Sequence, residues 1–393
     1  MSAEHDRRTT DVARSASVAD ATSPTDAGSS TTSSGSTSDR AASASDGATS
    51  ASGEPPARDG ATSAVGEQAP PPQAPTEASH PRSVGPMHAR GRYESGGGML
   101  ASVQRYVLVT KPRIIELLLV TTLPAMVIAA RGWPGTWLAV ATLVGGTLSA
   151  GSANALNNLV DRDVDRRMAR TSARPTASEA VGPRGTLVLG LVLGLAGFVW
   201  LALFVNIVAA LLATSAILFY VFVYTLGMKR RTSQAVVIGG AAGCVPVLTG
   251  WAAVSGGSLA DVRPWLLFAI VFWWTPPHFW ALAMKYREDY AAGGLPMLPV
   301  THGIAETTRQ ILLYSYLLFS VVLLYIAGGG VGWLFALPAV GLTVAWLVLA
   351  HRLRRSQTVS DAMRLFHYST VYLALIFIIA AVDAAVSAPL LAR

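Results

Sequence analysis

Apolar positions gather into nine runs, at roughly 114–130, 137–157, 187–204, 207–227, 235–254, 264–284, 311–327, 332–350 and 368–387. Each is about the length a helix needs to cross some 30 Å of hydrocarbon. Unbroken apolarity on this scale, with no period-2 alternation, predicts an all-α, polytopic membrane protein of about nine transmembrane helices. The shortest break falls at Val205-Asn206.

Polar residues between the runs set an expected orientation. Loops after runs two, four, six and eight carry sixteen Lys or Arg, among them Arg162, Arg166, Arg170, Arg174, Lys229, Arg230, Lys285, Arg287 and Arg354. The odd-numbered loops carry only Arg131 and Arg263. This asymmetry predicts that the even loops, the N-terminus and any site among them face the cytoplasm, with the C-terminus across the cell membrane.

Composition divides the 393 residues in two. Residues 1–98 are Ser, Thr, Ala, Asp, Gly, Pro and Glu with hardly a large apolar side chain, a mixture unable to offset its ordering entropy. They are expected to be a disordered extension before a membrane domain at 99–393. They lack the continuous apolar segment of a secretory signal. The single cysteine, Cys244, excludes an internal disulfide and a cysteine metal cluster, and its apolar setting suits a packing residue. The net charge of +7 sits beside apolar spans, which suits a membrane surface and membrane lipid and gives no sign of nucleic-acid binding.

Candidate chemistry lies where run two ends. On a helix, Asn157, Asp161 and Asp165 share a face with Asn154, while Asp163 points the other way. Two carboxylates one turn apart suit Mg²⁺ that keeps waters and takes substrate phosphate oxygens. Interleaved arginines suit the remaining phosphate charge. The same spacing also suits a juxtamembrane cap of intrahelical Asp–Arg pairs. Arg113, Tyr224, the Lys229-Arg230-Arg231 cluster and the 285–290 loop fall at the same end, and polar groups clustered at a membrane boundary default to a functional site. A diphosphate head with an apolar tail, such as an isoprenyl diphosphate, would match.

The string Asn157-Asn158-Leu159-Val160-Asp161-Arg162-Asp163-Val164-Asp165-Arg166-Arg167-Met168, with Arg170-Thr171 and Arg174-Pro175 after it, resembles the first aspartate-rich motif of the UbiA-type intramembrane prenyltransferases. Within that family it resembles the protohaem IX farnesyltransferase (haem O synthase) branch. Further likeness lies in Lys111-Pro112-Arg113, Tyr224-Thr225 to Lys229-Arg230, Gly239-Gly240 with Gly243, Gly250-Trp251, Thr275-Pro276-Pro277-His278-Phe279-Trp280, Asp289-Tyr290 and Leu295 to Val300. The resemblance covers about residues 102–388. It implies nine helices around a central cavity, Mg²⁺ as cofactor, and farnesyl diphosphate and haem B as substrates, with farnesyl joined to a haem vinyl group, water added and diphosphate released. It implies Asp161, Asp165 and Asp289 as catalytic residues that with Asn157 hold the metal and diphosphate, Arg113, Arg170, Arg174, Lys229 and Arg230 as diphosphate clamps, and transient contact with a downstream haem A synthase. Lys285 stands where the second motif usually has an aspartate, so that motif is expected to supply fewer carboxylates or a direct phosphate contact.

His278, behind two helix-kinking prolines, is expected to meet haem, with helix packing the alternative reading. Phe272, Trp273, Trp274, Phe279 and Trp280 suit either a shield for an allylic cation or interface anchoring. Acceptance of a quinone precursor or chlorin is the neighbouring alternative. A transporter would more often show an inverted repeat and charges at mid-membrane.

Overall fold

The computed structural model describes residues 98–387, and within them not the side chains of 113–119. The expected disordered extension and the Arg113 side chain therefore lie outside the described residues. Every element described is helical: α1 (Met99–Val109), α2 (Pro112–Ala130), α3 (Thr136–Arg167), α4 (Pro183–Phe204), α5 (Ile207–Met228), α6 (Ala235–Val254), α7 (Arg263–Lys285), α8 (Arg287–Ala292), α9 (Leu298–Thr301), α10 (Gly303–Gly328), α11 (Trp333–Ser356) and α12 (Val359–Val386). Seven of these, α4 to α7 and α10 to α12, are long and apolar enough to cross a membrane. With α2 and the 32-residue α3 they make nine long helices among the described residues. The protein is an integral membrane protein.

Local chemistry marks the helix ends. Pro112, Pro183 and Pro264 stand in first turns, where a missing N–H costs nothing. The break at Val205-Asn206 is real: the Asn206 side chain accepts from Ala209 N at 2.8 Å and donates to Ala252 O at 2.9 Å. Thr358 caps α12, which begins well before its apolar run because hydropathy marks contact with lipid rather than helix. For the same reason α3 continues ten residues beyond run two, so Asp161 and Asp165 lie on its last turns instead of opening a loop.

Small residues let α3 and α4 approach closely. A Cβ at Gly145 would stand 2.4 Å from Leu201 Cγ, and Ser152 Oγ donates to Gly190 O at 2.7 Å. The opposite face of α4 is apolar yet exposed, with Leu195 at 67% and Leu203 at 73%, as lipid contact requires. Around the molecule α2 packs on α3, α6 and α12; α3 on α4; α4 on α5; α5 on α6; and α6 on α7. α7 packs on α10 and α12, with α11 between those two. That second group holds much of the aromatic core, including Trp274, Trp280, Tyr325, Trp346, Tyr372 and Phe377. A cavity of about 180 Å³ lies instead among α2, α3, α5 and α6.

Candidate functional site

The last turns of α3 carry the centre of the site. Asp161 is buried, with its side chain 1% exposed, and pairs with Lys229. Its Oδ2 also accepts from Asn157 Nδ2 at 2.8 Å, and Asn157 Nδ2 reaches Thr225 Oγ1 at 3.1 Å. One turn on, Asp165 takes both bonds from Arg174 Nη1, at 2.9 and 2.8 Å. The spacing of Asn157, Asp161 and Asp165 thus places them on one buried face, as their sequence predicts. Asp163 lies on the exposed side and holds Arg230 at 2.7 and 2.9 Å. Arg230 is therefore turned from Asp161, unlike Lys229, its neighbour in the chain.

Lys229 reaches inward because α5 changes its winding. From Phe219 to Met228 it follows a wide, π-type turn, with Lys229 N bonded to Tyr224 O at 2.8 Å and Thr225 Oγ1 donating to Tyr220 O at 2.7 Å. Such turns cluster at functional sites. Here it stacks Tyr220 on Tyr224, 5.2 Å between centroids, and sets Lys229 5.7 Å from the Tyr224 ring.

Lys111 is the site residue that sequence reasoning missed. It sits at the corner between α1 and α2 with a left-handed φ of 54°. Its Nζ donates to Asn157 Oδ1 at 2.9 Å, while Asn154 and Asn158 donate to Thr110 O and Val109 O at 2.9 and 2.8 Å. Three asparagines of α3 thus hold three consecutive residues of the corner. Burial, reinforced by Arg174 and Lys229, pulls the Lys111 ammonium down to about 7. In sequence it stands out only within the Lys111-Pro112-Arg113 string, which says nothing about a partner 46 residues away.

Asp289 reaches the same end but engages main chain. It accepts from Ala169 N at 2.6 Å and Arg170 N at 3.2 Å, tying the segment after α3 to α8. The Arg170 guanidinium lies over the rings of Tyr286 and Tyr290, at 5.0 and 5.8 Å, and burial pushes the Tyr290 phenol up. Lys285 is exposed, 5.5 Å from the Tyr286 ring. The structure therefore gathers Asn157, Asp161, Asp165, Arg174, Lys229 and Lys111, with Asp289 and Arg170 bracing the adjoining loop.

Among the described residues no three acidic, His or Cys groups are placed to cage a metal. Asp161 Oδ1, however, is buried without a hydrogen-bond partner. One free carboxylate oxygen beside a second carboxylate and an amide fits Mg²⁺ that arrives with its own phosphate oxygens.

His278 lies between α7 and α12. Ser369 Oγ donates to Phe366 O at 2.6 Å, so it is His278 Nδ1–H that donates to Ser369 Oγ, at 2.5 Å. The imidazole stacks between Trp274 and Phe366, at 4.2 and 4.6 Å. Trp274 and Trp280 belong to the helical core, Phe272, Trp273 and Phe279 pack against it, and none of the five lines the cavity. Tyr220 is the ring that borders the cavity. Cys244 is buried, donating to Gly240 O, in keeping with a packing residue.

The model of the UbiA prenyltransferase family matches residues 118–378. The chain belongs to that family. Among UbiA relatives, protoheme IX farnesyltransferase 1 of Saccharopolyspora erythraea is 52% identical over 295 residues, covering 74% of this chain and 92% of the relative. Protoheme IX farnesyltransferase of Frankia alni is 50% identical over 291 residues, 73% of this chain and all of the relative. Two solved structures share the UbiA fold at 15% identity. A digeranylgeranylglyceryl phosphate synthase has a TM-score of 0.61, covering 72% of this chain and 99% of its own. A UbiA homologue from Archaeoglobus fulgidus bound to DMAPP and Mg²⁺ has a TM-score of 0.55, covering 71% and 99%.

Proposed function

We propose that this UbiA-family protein transfers the farnesyl group of farnesyl diphosphate to a vinyl group of haem B. Diphosphate leaves, water adds to the alkylated side chain with loss of a proton, and haem O results. The observation that carries the reading is the joining of two unlike environments. Asp161, with one unpartnered oxygen, sits among Lys111, Lys229 and Arg174. Two turns back along α3, Asn154 borders the small-residue cavity. A charged head and an apolar tail would each find their solvent. The haem acceptor is supported by the protoheme IX farnesyltransferases that are about half identical over nearly their whole length.

Lys111, Lys229 and Arg174 would hold the diphosphate oxygens, trading their present carboxylate and amide partners for phosphate. Asn157, Asp161 and Asp165 would hold Mg²⁺, which when bound neutralises the leaving diphosphate. Asp289 and Arg170 would close the loop above it, with Asp289 joining the metal set only on leaving Ala169 and Arg170. Arg113 and Arg230 would add longer-range attraction. Tyr220 offers a ring face to a cation forming at the cavity mouth, and the buried setting keeps water away until the acceptor arrives. His278, its Nδ1–H committed to Ser369, would present Nε2 to haem. The charged end would face the cytoplasm, and the haem O formed would pass to a haem A synthase.

The test is to express the full chain in a host lacking haem O synthesis, then separate extracted haems by chromatography with mass detection. A haem heavier than haem B by one farnesyl and one water is expected. Haem B alone, from well-expressed protein, would overturn the acceptor assignment.

A further inference from the structure

Glycines at 239, 240 and 243 lie along one side of α6, and neighbouring helices account for only two of them. A Cβ at Gly239 would come within 2.2 Å of the Tyr224 ring, and one at Gly240 within 3.0 Å of Thr275 Cγ2. A Cβ at Gly243 would meet nothing within 4 Å. Glycine weakens a helix relative to alanine, so its presence at 243 needs another reason. Gly243 borders the cavity, so a larger residue there has open space beside that cavity to fill.

The cavity has a direction. Asn154 and Tyr220 mark the end nearest Asp161; Thr122, Thr142 and Thr249 border it farther along their helices. From Asn154 to Thr142 is about 18 Å of helix at 1.5 Å per residue. The twelve-carbon backbone of a farnesyl group extends roughly 15 Å at ordinary carbon–carbon bond lengths. One more isoprene unit adds about 5 Å by the same reckoning and would overrun the threonines. The Thr142 and Thr249 hydroxyls donate to their own helices, at Leu138 O (2.8 Å) and Val245 O (3.1 Å). Their only donors are spent at home, so a hydrocarbon end meets no unsatisfied O–H from either residue.

We infer that this cavity gauges the length of the prenyl chain: Gly243 keeps its upper bore clear, and Thr122, Thr142 and Thr249 form its stop. The inference rests on the prenyl-diphosphate reading above and adds the residues that select among donors. Substitutions should act according to depth. Leucine at Gly243 obstructs every chain, whereas a change at Thr249 is felt only by chains long enough to reach it.

The experiment uses purified full-length protein with Mg²⁺ and the non-transferable thiolodiphosphates of geranyl, farnesyl and geranylgeranyl, titrated calorimetrically. Initial rates with the true diphosphates and haem B accompany the titrations. Thr249→Leu should move preference from farnesyl towards geranyl by about ten- to a hundredfold, the discrimination that a misplaced methylene brings in an apolar pocket. The double variant Thr142→Ala, Thr249→Ala should move it towards geranylgeranyl, and Gly243→Leu should weaken all three. Equal loss for all chains in Thr249→Leu, or wild-type farnesyl affinity in Gly243→Leu, would overturn the gauge. If Gly243→Leu does not fold, the two threonine variants still decide, since they push preference in opposite directions. Wild-type binding without haem product would defeat the acceptor assignment while the affinity ladder still judges the gauge. No binding of any prenyl analogue would defeat both.

Discussion

At the residue scale the site is a set of charges held ready by one another. Lys111 has a left-handed backbone, which costs a non-glycine residue about 1–2 kcal/mol. Three asparagine contacts keep it there. Lys111→Gly should keep or raise Tm, because glycine takes that conformation freely, while affinity for a prenyl thiolodiphosphate falls at least about tenfold with the lost charged hydrogen bond. A fall in Tm with affinity unchanged would reverse the assignment. Asp161→Asn should keep the protein in the membrane and cut diphosphate release by ~10²-fold or more, read in a coupled phosphate assay; wild-type release would remove Asp161 from the metal set. The periodicity of Asn157, Asp161 and Asp165 was legible because a helix converts spacing into a face. The partners were not: Lys229 and Arg230 are adjacent in sequence, yet one meets Asp161 and the other Asp163. Asp289 likewise looks like a ligand in the string and in space bonds two main-chain N–H groups.

At the scale of elements, hydropathy located the spans but could report neither their polar extensions nor the change of winding in α5. An apolar run reads the same whether its turns hold 3.6 residues or more. That winding has a testable effect. Deleting Val223, which is exposed, should let the segment return to α-helix with little loss of Tm. It should also rotate Lys229 by roughly 100° relative to the preceding turns. The expected result is a folded protein that no longer binds prenyl thiolodiphosphate. Unfolding would show the wide turn to be structural, and retained binding would show that Lys229 is not needed where it sits. The double proline of α7 reads from sequence as a kink before a histidine that either meets haem or packs between helices, whereas the stack of Trp274, His278 and Phe366 depends on α12, which no local string reveals.

At the scale of the whole molecule, the nine long helices of the described residues and a one-sided charge pattern were legible because lipid imposes length and apolarity on every span. The location of the cavity in one helix group was not, since it depends on which small residues face each other. Orientation is testable in a Cys244→Ala background. Ser172→Cys should react with a membrane-impermeant maleimide only after the inner face is opened, and Ser258→Cys in intact cells; the opposite pattern would invert the topology. The packing of α12 against α2 brings the first and last long helices among the described residues side by side, an arrangement that in a soluble domain would invite rejoining the ends and cutting the chain elsewhere. Here an odd number of crossings would leave those ends on opposite faces, so no short linker could splice them. A circularly permuted version of the described residues would therefore need one more crossing, and the bundle that packs as a closed ring would remain an open one in its connectivity.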